Sequence, residues 1–210
     1  MNITFSDKII LVTGATRGIG AKIAEDLSNL GATLLLTGTN KDQIEKLNKE
    51  MISSKKKNRY FVLNPIKKNT VESFFNEINK YERIDCIVNN AGINKLNYIN
   101  ETSMNDFDEM MEVNLKLPYQ IIRNISKKML KNSYGRIVNI GSIFGVISKE
   151  KRSIYSTTKF GIHGITVGSS NDLAKNNIFV NTVSPGFVLT DLTKQNLSSK
   201  EMELLKKQIP

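Results

Sequence analysis

Apolar positions along the chain alternate between short unbroken runs and helical spacing, from one end to the other. Ile9, Ile10, Leu11 and Val12 form the first run, within Lys8 to Thr13, and such a run suits a strand buried on both faces. Ile19, Ile23, Leu27 and Leu30 then recur about one helical turn apart, and Gly31 closes that element. Thr33 to Thr37 is the second strand. Ile44, Leu47 and Met51 mark the next helix, Tyr60 to Leu63 the third strand, and Val71, Phe74, Phe75 and Ile78 a further helix. Ile84 to Val88 is the fourth strand. Ser103, with Asp106 three positions on, reads as a helix start of the capping-box type, and helical spacing runs from there past Pro118 towards Lys131. Arg136 to Ile140 and Phe179 to Val183 are the fifth and sixth strands, separated by a helix over roughly Ser153 to Ala174.

Strands alternating with helices in this way imply right-handed crossovers and a parallel sheet. The expected fold is therefore α/β, a doubly wound parallel sheet of the Rossmann kind with helices on both faces. No linker, repeat or low-complexity tract divides residues 1–210, so one domain is expected. Ligands of such sheets bind beyond the carboxyl ends of the strands, where strand order reverses. The segments following strands one, four and five should thus meet in one crevice.

Composition narrows the setting. An apolar content of 40% over 210 residues supports a sizeable core. Cys86 is the single cysteine, which excludes an intramolecular disulfide and fits a reducing, cytoplasmic interior. The first residues lack the layout of a secretion signal, and no apolar run nears the ~18 residues of a membrane helix, so no membrane partner is expected. The net charge of +10 raises nucleic acid as a partner. Its densest cluster is Lys55, Lys56, Lys57 and Arg59, with smaller groups at Lys127, Lys128 and Lys131 and at Lys149, Lys151 and Arg152. None is interleaved with aromatics as a stacking platform would be, so these read as a solvated surface rather than a nucleic-acid site. Such a surface can also steer anionic substrates and phosphorylated cofactors.

The chemistry-bearing residues follow the strands. Thr13-Gly14-Ala15-Thr16-Arg17-Gly18-Ile19-Gly20 leads from strand one into a helix. Its glycines permit a tight turn, and the free amides at the helix start can receive a pyrophosphate. The spacing is Gly-x3-Gly-x-Gly, not the commoner Gly-x-Gly-x2-Gly, and alone it could be a simple connection. Tyr155 and Lys159 lie four residues apart on a helix, so the ammonium can sit near the phenol and favour its ionised form. Ser142 follows strand five, at the same rim. His163, one turn beyond Lys159, and Cys86, within a strand pattern, read as structural, and no metal-ligand spacing is present.

Taken in order with Asn89-Asn90-Ala91-Gly92, Asn114 and Pro185-Gly186 with Thr190, these motifs resemble the short-chain dehydrogenase/reductase family over essentially the whole chain. The resemblance implies Tyr155 as general acid in reduction and Ser142 as hydrogen-bond donor to the substrate oxygen. It implies that Lys159 lowers the tyrosine pKa and binds the nicotinamide ribose, and that Asn114 holds a water in the proton relay. Cofactor contacts are implied for Gly14, Thr16, Arg17, Gly18, Ile19, Gly20, Thr39, Asn64, Asn90, Ala91, Gly92, Tyr155, Lys159, Pro185, Gly186, Val188 and Thr190. Strand two ends in Thr37-Gly38-Thr39-Asn40 without the acid that holds a ribose in NAD enzymes, and Arg17 is similar to the family's partner for the extra phosphate, so NADP(H) is expected. Asn64 replaces an aspartate common in the family.

Gly18-Ile19-Gly20, Asn89 to Ile93, Gly141 to Gly145 and Pro185 to Asp191 are similar to the branch that reduces 3-oxoacyl thioesters in fatty acid biosynthesis. The basic surface would suit its acidic acyl carrier. A sugar or small secondary-alcohol dehydrogenase and a nucleotide-binding protein without turnover are the alternatives. Family members continue with a further helix and a seventh strand, and in full-length form they are homo-oligomers. The chain ends at Pro210 after an amphipathic run with Leu197, Met202, Leu204 and Leu205. It is therefore expected either to be a fragment or to have the edge of strand six covered by a partner.

Overall fold

Each unbroken apolar run forms a strand because successive side chains feed two different cores. Along β1 (Ile9–Val12), Leu11 enters one cluster while Ile10 and Val12 enter the other. The computed structural model describes residues 3–54, 56–190, 193 and 199–208; Lys55 of the basic cluster and Leu197 of the terminal run lie outside them. After β1 come α1 (Gly18–Asn29), β2 (Thr33–Gly38), α2 (Lys41–Ser53), β3 (Arg59–Val62), α3 (Lys68–Asn79) and β4 (Cys86–Asn89). The second half holds α4 (Met104–Met111), a π-helical turn (Glu112–Lys116), α5 (Leu117–Asn132), β5 (Gly135–Ile140), α6 (Ser153–Leu173), β6 (Ile178–Val183) and α7 (Ser199–Gln208).

The strands form one parallel sheet in the order β3-β2-β1-β4-β5-β6, so the order reverses between β1 and β4. One face is covered by Phe74 and Ile78 of α3 and by Leu117, Ile121, Ile125 and Met129 of α5. On the other, Ile10, Val12, Leu34, Leu36 and Val88 pack with Ala24 of α1. The expected doubly wound α/β fold is therefore present.

Two local departures have physical causes. Strand four was expected from Ile84, but β4 begins at Cys86. The Asp85 carboxylate accepts the Ile9 amide at 2.8 Å while the Asp85 amide donates to the Ile9 carbonyl at 2.8 Å, so a side chain replaces the first ladder acceptor. The helical stretch expected through Pro118 is interrupted by the π turn, whose closing amide, on Leu117, bonds the Glu112 carbonyl five residues back. Pro118 has no amide hydrogen, and its ring would crowd the carbonyl of Asn114 in a regular helix. Widening the helix by one residue relieves that crowding and sets Asn114 in the turn.

A buried polar chain ties β4, β5, β6 and α6 together. Asn89 donates to Asn139 at 2.8 Å, Asn139 donates to Thr166 at 2.9 Å, and the Thr166 and Thr182 hydroxyls meet at 2.7 Å. At β6 the inward residues Ile178 and Val180 are buried, whereas Phe179 and Val183 are about half exposed. Among the described residues no strand pairs with the outer edge of β6.

Replacing Asn139 by Ala should lower unfolding free energy by about 1–3 kcal/mol, because it strands the Asn89 amide and a Thr166 lone pair in the interior. Asn132→Ala, which removes only an exposed bond to the Lys128 carbonyl, should change it by less than about 0.5 kcal/mol. Urea midpoints of the two variants test this, and equal midpoints would contradict it.

Candidate active site

The carboxyl ends of β1, β2 and β4 are locked together by one threonine and one asparagine. Thr13, where β1 ends, is buried, and its hydroxyl accepts the amides of Asn90 and Ala91, each at 3.0 Å. The Asn90 side chain returns two bonds, to the carbonyls of Thr13 at 2.9 Å and Gly14 at 3.1 Å. From β2, the Thr37 hydroxyl accepts the Gly14 amide at 3.1 Å and its carbonyl accepts the Ala15 amide at 2.8 Å.

This closeness explains two glycines. Gly14 has φ 63°, and a Cβ there would lie 2.9 Å from the Ala91 backbone. A Cβ on Gly20 would stand 2.3 Å from both the Asn90 amide nitrogen and the Gly14 carbonyl oxygen. The turn delivers α1 with Arg17 at its N-cap, no capping side chain and no acid in its first turn. Its first amides and the positive end of its dipole are thus available to an anion such as a pyrophosphate.

A crevice of about 460 Å³ opens over this end of the sheet. Gly14, Thr16, Arg17, Gly18, Ile19, Thr39, Asn64, Asn90, Ala91, Gly92, Ser142, Tyr155, Lys159, Pro185, Gly186, Val188 and Thr190 all line it. Gly20 and Asn114 do not: Gly20 acts from beneath, through its lack of a side chain, and Asn114 is buried behind the wall. The Asn114 oxygen accepts the Ile93 amide at 2.8 Å, and its nitrogen donates to the Ile93 carbonyl at 2.8 Å and to Thr158 at 3.2 Å. Thr158 in turn donates to the Tyr155 carbonyl at 2.7 Å. His163 is exposed on α6 outside the crevice, and Cys86 is half-buried in β4, its thiol pushed up to about 11 by burial.

Ser142 and Tyr155 both line the crevice, within hydrogen-bonding reach of each other. The Ser142 oxygen accepts the Phe144 amide at 3.2 Å, so its hydrogen is available to donate towards the Tyr155 oxygen. Burial raises the Tyr155 hydroxyl above its ordinary value, while the Ser142 hydrogen bond and the Arg152 charge pull it back. Lys159 is 6% exposed; its ammonium donates to the Ile140 carbonyl at 2.8 Å and lies 5.6 Å from the Tyr155 ring centre. Burial brings it down to about 8.

Several lining residues were not singled out in the sequence. Leu63, Pro65 and Ile66 follow β3, and the rule that directed attention to the ends of strands one, four and five applies to them equally. Glu109 of α4 also lines the crevice and is paired with Lys95. Arg152, assigned to a solvated basic cluster, is 7% exposed, with its guanidinium 4.5 Å over the Phe144 ring. Among the described residues no cluster of three or more His, Cys, Asp or Glu could hold a metal, and no helix is long and apolar enough to cross a membrane.

Comparison with known proteins places this geometry in context. A family model described as short chain dehydrogenase matches residues 8–201. A 3-oxoacyl-(acyl-carrier-protein) reductase of Aquifex aeolicus is 38% identical over 217 aligned residues, which cover 100% of this chain and 85% of its own. The reductase of the same description from Escherichia coli is 31% identical, over 99% of this chain and 84% of its own. Among solved structures, a gluconate 5-dehydrogenase from Burkholderia cenocepacia, in complex with NADP and tartrate, superposes with a TM-score of 0.89. It is 24% identical, over 99% of this chain and 82% of its own, and shows the same fold. A chain from Beutenbergia cavernae with NADP bound at low occupancy has a TM-score of 0.91 at 26% identity, over 99% and 83%.

The buried ammonium has a consequence for stability. With Lys159 at about 8 when folded and 10.5 ordinarily, both states hold the proton below pH 8 and the burial cost is fully present. Above pH 8 the folded state sheds its proton first, so that cost is relieved as pH rises towards 10.5. Wild type should therefore gain on the order of 2 kcal/mol relative to Lys159→Met between pH 8 and 10, read from urea unfolding. Tyr155 opposes this only above its ordinary value of 10. Parallel stability curves for the two proteins would contradict the assignment.

Proposed function

The chain belongs to the short chain dehydrogenase family of oxidoreductases, and from that premise we propose that it reduces a 3-oxoacyl thioester to the secondary alcohol, with NADP(H) and Tyr155 as general acid. The observation that carries this reading is the convergence of Ser142, Tyr155 and Lys159 on the crevice that the glycine turn opens. Residues 1–210 act as a single dinucleotide-binding and catalytic domain.

The crevice fits a dinucleotide. Gly14 and Gly20 let the turn close tightly on Asn90 and Ala91 where a Cβ would collide, and α1 starts at the crevice with uncapped amides. Gly14, Thr16, Gly18 and Ile19 would hold the pyrophosphate, with Gly20 keeping the turn tight beneath. Asn64 would border the adenine, and Asn90, Ala91 and Gly92 would line the stretch of cofactor that follows. Pro185, Gly186, Val188 and Thr190 complete the nicotinamide end. Thr39 follows β2 and Arg17 stands at the N-cap of α1, both lining the crevice, and among the described lining residues the one acid, Glu109, belongs to α4, so none of them at the β2 end repels an extra phosphate. The Beutenbergia cavernae relative also binds NADP. When bound, the nicotinamide supplies a hydride to the substrate carbonyl carbon.

The chain's own residues then manage the oxygen. Charge developing there calls for donors already in place. The Ser142 hydroxyl, already beside Tyr155, donates to the substrate oxygen and orients it, and the Tyr155 hydroxyl gives up its proton. Lys159, pinned by the Ile140 carbonyl, favours the resulting phenolate and keeps hydrogens for a ribose hydroxyl. Replacement of that proton runs through a water near Asn114. Because the Asn114 side chain is committed to Ile93 and Thr158, the acceptor for this water is its main-chain carbonyl, which Pro118 cannot bond.

The substrate class follows from the relatives named as 3-oxoacyl-(acyl-carrier-protein) reductases at 31% and 38% identity, and from the apolar loops beside the site. Val146 and Ile147 after Ser142, and Leu189 after Pro185, are exposed apolar side chains that suit an acyl chain better than a polyol. The basic surface suits an acidic carrier, a homo-oligomer is the expected full-length state, and the cytoplasm is the expected setting.

With acetoacetyl thioester, kcat/KM for NADPH should exceed that for NADH by at least about tenfold, each 1.4 kcal/mol of phosphate contact giving a factor of ten. Tyr155→Phe should lower kcat by about 10²–10⁴-fold while NADPH still binds. A preference for NADH would overturn the cofactor assignment, and full turnover by Tyr155→Phe would overturn the general acid.

A further inference from the structure

Arg152 is a buried cation that neither cofactor binding nor substrate orientation explains. It occupies the N-cap of α6, three residues and about one turn before Tyr155, yet its side chain makes no capping bond. Among the described residues it has neither an ion pair nor a side-chain hydrogen bond, although it is 7% exposed. A positive charge at a helix N-terminus opposes the dipole, and burial without a counter-ion is costly. The fold tolerates both costs. Its guanidinium stacks 4.5 Å over Phe144, whose ring meets Tyr155 edge-on at 6.3 Å and Phe187 at 5.9 Å. Phe144 thus touches both the guanidinium and the Tyr155 ring, and Arg152 is largely withdrawn from solvent. A charge acts over a longer range in such surroundings than it would in solvent.

The other groups facing the phenol are few. Ser142, just beyond the end of β5, and Lys159, on the next turn of α6, line the crevice with Tyr155, and the Phe144 ring, which also meets Phe187, packs edge-on against it. Glu109, the acid that lines the same crevice, is already held by Lys95, which also bonds Asp106 at 2.6 Å. Tyr155 itself is therefore the group whose ionisation would answer the Arg152 charge. Phenolate formation would give the buried cation the counter-charge it lacks.

We propose that Arg152 is a positioning residue for proton transfer, its buried positive charge, held on the Phe144 ring that also packs against Tyr155, favouring the phenolate of Tyr155. The proposal rests on the reading of Tyr155 as proton donor. It divides the work between two cations: Lys159 acts from the crevice and also serves the cofactor, whereas Arg152 acts from behind and serves the phenol alone.

The test is tyrosinate difference spectroscopy on the full chain across alkaline pH, with the Tyr155→Phe spectrum subtracted to isolate Tyr155. It is paired with pH profiles of kcat. In Arg152→Met the Tyr155 phenolate fraction at a given pH should fall about tenfold, and the alkaline-going limb of the kcat profile should move up correspondingly. KM for NADPH should stay within about twofold, because the effect lies in proton transfer and not in binding. Arg152→Lys should retain most of the wild-type behaviour. Arg152→Gln is the second neutral variant should the Met variant fail to fold. A folded neutral variant that titrates as wild type overturns the proposal, as does a Lys variant shifted as far as the neutral ones. Undiminished turnover by Tyr155→Phe would instead overturn the role of Tyr155 as donor, while the spectra would still report whether Arg152 and Tyr155 are coupled.

Discussion

The crevice at the carboxyl end of the sheet depends on keeping a lysine charged where there is almost no water. The Lys159 ammonium loses nearly all of its hydration and receives one carbonyl, that of Ile140, in return. Burial lowers it to about 8, so at neutral pH it remains a cation. A cation held so weakly hydrated stabilises neighbouring negative charge more strongly than an exposed one. That constraint fixes the relation between β5, which supplies the carbonyl, and α6, which carries both lysine and tyrosine. Moving either element would strand the charge.

The surrounding bonds hold that relation. Thr13 and Asn90 clamp the ends of β1 and β4, while Asn89, Asn139, Thr166 and Thr182 join β4 and β5 to α6 and β6. Thr158 links Asn114 to the Tyr155 carbonyl, and so ties the π turn to the same helix. Four loops leaving parallel strands would otherwise be free to move independently. Here the polar side chains that end the strands bind the neighbouring backbone, so the crevice is shaped before any ligand arrives. Preorganisation of this kind is what a site needs when it must stabilise charge that appears only during the reaction.

Much of this was legible in residue order. Apolar runs such as Ile9 to Val12 suit strands covered on both faces, and their shortness between turn signals favours strands over buried helices. The glycine turn, Ser142, Tyr155 and Lys159 stood at strand ends or at helical spacing, where local geometry alone brings them to one rim. What was not legible depended on long-range packing. Nothing local shows that Arg152 turns inward onto Phe144 while its neighbours Lys149 and Lys151 stay exposed. Pro118 signals that a helix will be disturbed, but not that the disturbance becomes a π turn around Asn114. The start of β4 shifted because a carboxylate, Asp85, took the place of a ladder acceptor, an exchange that hydrophobic patterning cannot register.

The central claim is that this crevice passes a hydride to a carbonyl carbon while Tyr155 protonates the oxygen. Its most direct test follows the isotope: the chain is supplied with acetoacetyl thioester and NADPH deuterated at the transferable position of the nicotinamide. The account predicts deuterium on C3 of a single enantiomer of the 3-hydroxyacyl product, with Tyr155→Phe binding NADPH but forming little of it. NADPH bound in the crevice with no deuterium reaching C3 of the wild-type product would contradict it.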